Sequence, residues 1–486
     1  MMIQRRALTF LSFAATALLL AACGRFSAFR SEKTPQATVG ASAQVRQTQI
    51  TSPKPGEWPA YGLDASHNAV AGMAGMGRGA GWIVALPGAV PASAGKAWIR
   101  KTYVSVTAVR DLVGVPVGVS VVRGVVYVPD DNGHLYAVDA RTGAVRWSFN
   151  ARNQIMTTPI VAGRGDHRLV YVGGGNSTFS YSQAVRFGIR NAPVVRGTDI
   201  SGIYAVRAAT GKEVWSFHTQ GEDMPTPIYY HGRIIFGNGD GHIYGLDART
   251  GKQLWKSTIE SFVSMSSATR YRNLIIMAGT HPNGIYAVNA RSGLRAWSTY
   301  PQHVFSSSMG DCAPAVSGGV VVTQYEVASG PGRAESVELA LDARNGRILW
   351  RKVLGRGTVP PRNKDAVPVI VGGVLYTGSP VTATAYALDV HTGRILWHTP
   401  LRVKMKAAPS VVGRYVFFPV ADGRIFVLSR HNGTVWKVDR TRHGGFGPQN
   451  AVVVNHSLII GSNFGWLYSI PVAQLTSGIA LGPPHY

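Results

Sequence analysis

The same short phrase returns seven times along this chain, each time ending in tryptophan. "LYAVDARTGAVRW" ends at Trp147, "IYAVRAATGKEVW" at Trp215, "IYGLDARTGKQLW" at Trp255 and "IYAVNARSGLRAW" at Trp297. "ELALDARNGRILW" ends at Trp350, "AYALDVHTGRILW" at Trp397 and "IFVLSRHNGTVW" at Trp436. Alternating apolar residues predict a strand. Asp, Thr and Gly predict a tight turn, the glycine supplying a positive φ. The run into tryptophan predicts a second strand. Upstream of each phrase lies another apolar pair, as in "APAVSGGVVVTQY" and "APSVVGRYVFFPV". Each unit therefore reads as a four-stranded antiparallel sheet of about forty residues, the size of a propeller blade.

An eighth blade is split between the two ends of the repeat region. After Trp436 come "NAVVVNHSLIIGS" and "GWLYSIPV", three strands with no terminal tryptophan strand. Near the start, "AGKAWIRKTYV" around Trp98 reads as a tryptophan strand without partners. Pairing Trp98 with the blade built from residues 450–473 would close the ring and leave no free sheet edge. The expected fold class is all-β, an eight-bladed propeller over residues 57–475. Residues 173–202 extend one blade by nearly thirty residues and read as a lid or a homodimer contact. Residues 476–486 form a C-terminal tail.

The A-x-D-x-x-T-G-x-x-x-W pattern resembles the tryptophan-docking motif of the pyrroloquinoline-quinone-type propellers. "EWPAYGLDASHNA", residues 57–69, resembles the lead-in segment of that superfamily. The motif residues are scaffold, and the resemblance alone gives them no catalytic part.

Composition narrows the setting. The chain carries 49 Lys+Arg against 24 Asp+Glu, a formal net charge of +25. Such a field attracts anions. The basic residues are scattered singly, with no basic run or basic helix, which argues against nucleic acid as the partner. Acid unfolding proceeds largely through protonation of paired carboxylates, so a carboxylate-poor chain has little of that stability to lose. The N-terminus, "MMIQRRALTFLSFAATALLLAACG", has the basic start, apolar stretch and small residues of an export signal. "LAAC" resembles a lipobox, which implies lipidation of Cys23 after cleavage; ordinary cleavage near Ala22 would leave Cys23 incidental. Either way the mature protein is expected outside the cytoplasm, in the periplasm or at the outer membrane. Its membrane contact would be through the lipid anchor if one is present. Residues 24–56 read as a flexible tether. With Cys23 acylated, Cys312 stands alone and no internal disulfide forms.

Three families within the superfamily compete. Quinoprotein dehydrogenases usually carry a neighbouring cysteine pair near the quinone and often a haem-attachment C-x-x-C-H. This chain has neither, so no cofactor is expected. The propeller lipoprotein of outer-membrane barrel assembly is a non-catalytic scaffold that agrees with the lipobox and eight blades. Nothing about scaffolding asks for so basic a chain. The chain is most similar to the tetrathionate hydrolases of acidophilic sulfur-oxidising bacteria, in fold, length, export and acid-suited composition. That resemblance implies hydrolysis of a small anionic sulfur substrate to thiosulfate, sulfur and sulfate.

Blades aligned on their second strands place eight side chains at one mouth of the central channel. They are Pro116, Met156, Met224, Met265, Asp311, Asp365, Lys406 and Gln449. Three successive blades offer Met, as space filler or as a soft, polarisable wall for a chain of sulfur atoms. The next two offer Asp. Asp311 is the candidate catalytic base, with Asp365 as runner-up or partner. A nearby cation such as Lys406 would hold its carboxyl ionised in acid. Arg110, Lys364, Lys404, Arg442 and His443 lie in the same inbound segments and could receive sulfonate oxygens. Glu222 and Asp223 sit at this rim and read as structural turn residues. Cys312 ranks below Asp311 as a nucleophile, because a thiol is protonated in acid and strand alternation points it away from the face Asp311 uses. No Cys or His cluster has metal-ligand spacing.

Overall fold

The computed structural model describes residues 70–71, 81–87, 89, 115, 117–130, 133–175, 201–259, 261–263, 265–305, 308–360, 366–448 and 450–478. The described strands form eight sheets. Blade 1 runs through Ser120–Val122, Val125–Pro129, His134–Asp139 and Val145–Asn150, each strand antiparallel to the last. Blades 2 to 7 repeat this order, beginning at Ile160, Ile228, Thr269, Ala315, Val369 and Ser410. Blade 8 holds Val452–Val454, Ser457–Gly461 and Trp466–Pro471.

Its fourth strand is Trp82–Ala85, antiparallel to Trp466–Pro471 with Trp82 opposite Ser469 and Ala85 opposite Trp466. The ring is therefore closed by an N-terminal strand, as expected, but by Trp82 in place of the predicted Trp98. Trp98 itself lies outside the described residues. The short run "WIVA" was hidden because its motif partner strand lies almost four hundred residues away and the preceding Asp-Thr-Gly turn is absent.

The repeated motif acts between blades. Trp147 donates its indole N–H to Ala208 O of the next blade at 3.1 Å, Trp215 to Ala248 O at 3.0 Å and Trp350 to Val390 O at 2.9 Å. Trp297 and Trp397 do the same at 3.2 and 3.1 Å. The motif glycine of the receiving turn has positive φ, and a Cβ there would meet the docked ring: Gly211 against Trp147 at 2.6 Å, Gly293 against Trp255 at 2.5 Å. Only glycine satisfies both demands. Two further bonds carry the same device across the junction. Trp436 reaches Thr476 O beyond blade 8 at 2.9 Å. Trp82 reaches Ala140 O of blade 1 at 3.0 Å, over Gly143. The motif aspartate shapes the turn, with Asp139 Oδ1 accepting the backbone N–H groups of Arg141 and Thr142 at 3.0 Å each.

Blade 7 departs from the four-strand expectation. Val70–Ala71 runs parallel to Ser410–Val412 on its innermost edge, Val70 opposite Val411. An innermost strand offers its free backbone edge to the channel, and this segment covers it. Blade 5 also differs. Its strands Val320–Gly330, Arg333–Asp342 and Ile348–Thr358 are 11, 10 and 11 residues long, so their hairpin rises beyond its neighbours.

Candidate functional site

The inbound segments that precede the innermost strands meet around the channel, and hydrogen bonds fix their register. Thr158 N–H donates to Thr226 Oγ1 at 3.0 Å and Thr226 N–H to Ser267 Oγ at 3.1 Å. These positions follow Met156, Met224 and Met265 by two residues, so the three methionines occupy equivalent sites in blades 2, 3 and 4. Met224 is buried; Met156 and Met265 are half-buried. Met265 and Ser266 both donate backbone N–H to Gly310 O, at 3.0 and 2.9 Å, which sets Asp311 beside Met265. Asp311 is half-buried, at the end of the short 3-10 turn Ser308–Asp311. Lys406 is half-buried at the corresponding place in blade 7.

Cys312 is fully buried. Its Sγ donates to Ala366 O at 3.3 Å and accepts the backbone N–H of Gln324 at 3.4 Å. In blade 2 the equivalent acceptor is Thr157 Oγ1, taking Gly173 N–H at 2.7 Å; in blade 4 it is Ser266 Oγ, taking Ala278 N–H at 2.9 Å. The sulfur thus does the work of a hydroxyl, holding the inbound segment to the second strand. Cys312 precedes the strand Ala315–Ser317, so strand alternation is not what turns it from the channel; these two contacts are.

Glu222 and Asp223 part company. Asp223 is a turn residue: Oδ1 accepts Asn238 Nδ2 at 2.8 Å and Oδ2 accepts the Thr219 hydroxyl. Burial pushes its carboxyl up to about 8, partly offset by those two donors. Glu222 is 6% exposed, and its Oε1 has no hydrogen-bond partner among the described residues. Burial, then the Asp311 carboxylate, push it up to about 7. A turn role explains Asp223 and leaves Glu222 unexplained.

Blade 5 holds two more buried carboxyls, Glu326 and Glu338. Gln324 Nε2 donates to Glu338 Oε1 at 2.8 Å, to Gly378 O at 2.9 Å and to Thr377 Oγ1 at 3.2 Å, and its Oε1 accepts Ala366 N–H at 3.0 Å. Burial, partly offset by these donors, raises Glu338 to about 8. Lys404 in blade 7 is half-buried; burial lowers its pKa and Glu326 opposes that.

The structure does not bring every candidate to the channel. Arg442 is exposed and lines a cleft at the outer strands of blades 7 and 8 with Trp82, Asp439 and Tyr468. His443 stacks on Trp466, ring centres 3.9 Å apart. An inbound segment starts at the outer strand of one blade, so only its last few residues reach the axis. Arg110, Pro116, Lys364, Asp365, Gln449 and Cys23 lie outside the described residues, as does most of the 173–202 insertion. Among the described residues, no group of three His, Cys, Asp or Glu side chains could hold a metal ion.

The chain matches the family model described as "Outer membrane protein assembly factor BamB" over residues 82–185, 188–324 and 333–470. The chain belongs to the pyrroloquinoline-quinone-type propeller family. It is 31% identical over 376 residues to the tetrathionate hydrolase of Acidithiobacillus ferrooxidans, covering 75% of this chain and 74% of that one. It is 30% identical over 459 residues to the tetrathionate hydrolase of Acidianus ambivalens, covering 87% and 85%. The quinohemoprotein alcohol dehydrogenase of Comamonas testosteroni shares the fold, with a TM-score of 0.60 at 15% identity over 90% of this chain and 83% of that one. The residues present do not fit a quinone of the dehydrogenase kind. The neighbouring cysteine pair has no counterpart in the sequence, whose two cysteines are Cys23 and Cys312, and Cys312 is engaged by Ala366 and Gln324.

Proposed function

We propose that this protein is an exported hydrolase that cleaves the S–S bond of tetrathionate in acid, with Asp311 as the base that activates water. The observation that carries the reading is the 30–31% identity to two tetrathionate hydrolases over most of both chains. The net reaction consumes one tetrathionate dianion and one water and yields thiosulfate, sulfate, a sulfur atom and two protons. Its first step needs a nucleophilic water and a sulfur held in line.

Asp311 supplies the first requirement: a carboxylate at the channel mouth can take a proton from a bound water. Met265 beside it, with Met224 and Met156 beyond, gives the sulfur chain a polarisable wall. Lys404 and Lys406 supply positive charge for the sulfonate oxygens, and the +25 net charge raises the local concentration of a dianion. Cys312 takes no part, because its sulfur is occupied in backbone contacts. The N-terminal signal pattern supports action outside the cytoplasm, and Cys23 is its proposed lipid attachment.

The test is incubation of purified protein with tetrathionate in acid, reading thiosulfate. Release of thiosulfate supports the hydrolase. Complete inactivity returns the chain to the alternative of a non-catalytic propeller lipoprotein, in keeping with a matching family model described as an outer membrane protein assembly factor.

A further inference from the structure

We propose that Glu222 is a positioning residue for Asp311: the two form a carboxyl pair that holds one proton in acid and so keeps the site at a single negative charge while a dianion binds. The inference rests on the hydrolase reading and adds to it the group that sets its working pH.

The geometry comes from three blades. Glu222 lies in the inbound segment of blade 3, Met265 in that of blade 4 and Asp311 in that of blade 5. Thr226 N–H ties the blade 3 segment to Ser267 of the middle one at 3.1 Å, and Gly310 O ties the blade 5 segment to it through Met265 and Ser266; across this junction the Asp311 carboxylate acts on Glu222. Glu222 is fixed from the other side. Its backbone O accepts Gly239 N–H at 3.1 Å and Asn238 Nδ2 at 3.2 Å. A Cβ on Gly239 would fall 2.8 Å from Glu222 Cγ, so the side chain lies directly on that turn. Asn238 spends its amide on Asp223 and on the carbonyls of Gly221 and Glu222, and Glu222 Oε1 has no partner among the described residues.

The charge that acts on it is Asp311 from blade 5. Asp223, its chain neighbour, is raised to about 8 and is therefore neutral while Glu222 titrates. Asp240, next to Gly239 on the turn that Glu222 lies against, pairs with His242 at 3.1 Å. A buried carboxyl with an unpartnered oxygen and an acidic neighbour stays protonated until the medium is near neutral. Below that point Glu222 is neutral and Asp311 can bear the pair's one charge. Above it a second carboxylate appears beside the first, and both repel the substrate. The proton is taken from and returned to bulk water, so the device consumes nothing.

The experiment compares wild type with Glu222→Gln, which stays neutral at every pH. In wild type kcat/KM should fall about tenfold per pH unit above the midpoint, mostly through KM. In the variant that fall should move up by at least about one unit, with a KM at neutral pH several-fold below wild type. An unmoved pH limb overturns the proposal. Infrared titration of protonated carboxyls reads the pair without substrate. The band missing from Glu222→Gln should titrate near neutral in wild type and move down by about a unit in Asp311→Asn, which removes the neighbouring charge. A band indifferent to Asp311→Asn overturns the pairing; if Glu222→Gln does not fold, the failure of any near-neutral carboxyl band to move down in Asp311→Asn overturns it. Absence of thiosulfate from wild type would sink the hydrolase reading and leave the infrared result to judge the pair.

Discussion

Replacing Glu338 by Gln should leave the protein's stability nearly unchanged in acid and raise it strongly at mildly alkaline pH. Glu338 is fully buried; Gln324 Nε2 donates to its Oε1 at 2.8 Å, and the Thr377 hydroxyl is its second donor neighbour. Gln324 cannot turn over to offer more, because its carbonyl holds Ala366 N–H while its amide also serves Gly378 O and Thr377 Oγ1. Glu338 Oε2 has no partner among the described residues. The protonated acid and an amide thus fill the site alike, each with one unsatisfied group. Burial raises the carboxyl from its ordinary 4.5 to about 8. Since the folded value lies above the unfolded one, the associated stability is complete below about pH 4.5 and lost as pH rises through about 8. At 1.36 kcal/mol per unit, that shift amounts to about 5 kcal/mol of stability lost between acid and alkali. The glutamine variant loses none of it. Urea unfolding of both proteins from about pH 3 to about pH 8 should give a difference growing from within ~1 kcal/mol to about 4 kcal/mol, most of the full shift. A difference that stays constant with pH would refute the reasoning, since only a titrating group makes it grow.

Other outcomes follow from the same contacts. Cys312→Ser should keep activity within about threefold, because Ser266 already makes the equivalent bond with an oxygen, whereas Cys312→Ala strands the Gln324 N–H and should cost about 1–3 kcal/mol in unfolding experiments. Trp82→Ala should destabilise by about 3–5 kcal/mol, since it empties the docking site on Gly143 and removes the bond to Ala140 that joins blade 8 to blade 1; a melting temperature equal to wild type would contradict that closure. KM for tetrathionate should rise several-fold between about 0.02 and 0.5 M salt as the positive field is screened; a salt-independent KM would remove steering from the account.

Much of this molecule is written in its repeats. The turn chemistry of Asp139, Thr142 and Gly143 and the period-two strands around it are local, and local patterns survive reading by eye. What escaped reading was non-local. Trp82 lacks the turn that marks its siblings, so only the pairing with Trp466–Pro471 reveals it. Glu338 stands four residues before the motif aspartate, where other blades place Leu135, Ile203, Ile243, Ile285, Ala385 and Ile425. That exception is visible in an alignment of the copies, but its burial against Gln324 is not. For the site, the register of Met156, Met224, Met265 and Asp311 was legible because each counts back from a recognisable strand. The distance of Arg442 and His443 from the axis was not, since an inbound segment gives no sign of where along its length it turns inward. Glu222 looked like the turn residue that Asp223 is; only burial and partners separate two adjacent acids.

The acid-suited composition now has a structural complement. Glu222, Asp223 and Glu338 are all buried with carboxyls raised to about 7 or 8. Each favours the fold in acid and opposes it as pH rises through those values. Against them stand the turn aspartates. Arg146 bonding, with backbone N–H donors, lowers Asp139; Arg344 holds Asp342 down to about 2. Their contribution is present above the ordinary carboxylate range and lost only as pH falls through these low values. The two sets together place the most stable range on the acid side of neutral.

The most direct test of the central claim is a single-residue comparison in the substrate assay. Wild type and Asp311→Asn are given tetrathionate in acid, and thiosulfate is measured over time. The account predicts steady release by wild type and a kcat at least about a hundredfold lower for the folded Asn variant, the scale expected for losing a general base. Normal turnover by Asp311→Asn would contradict it.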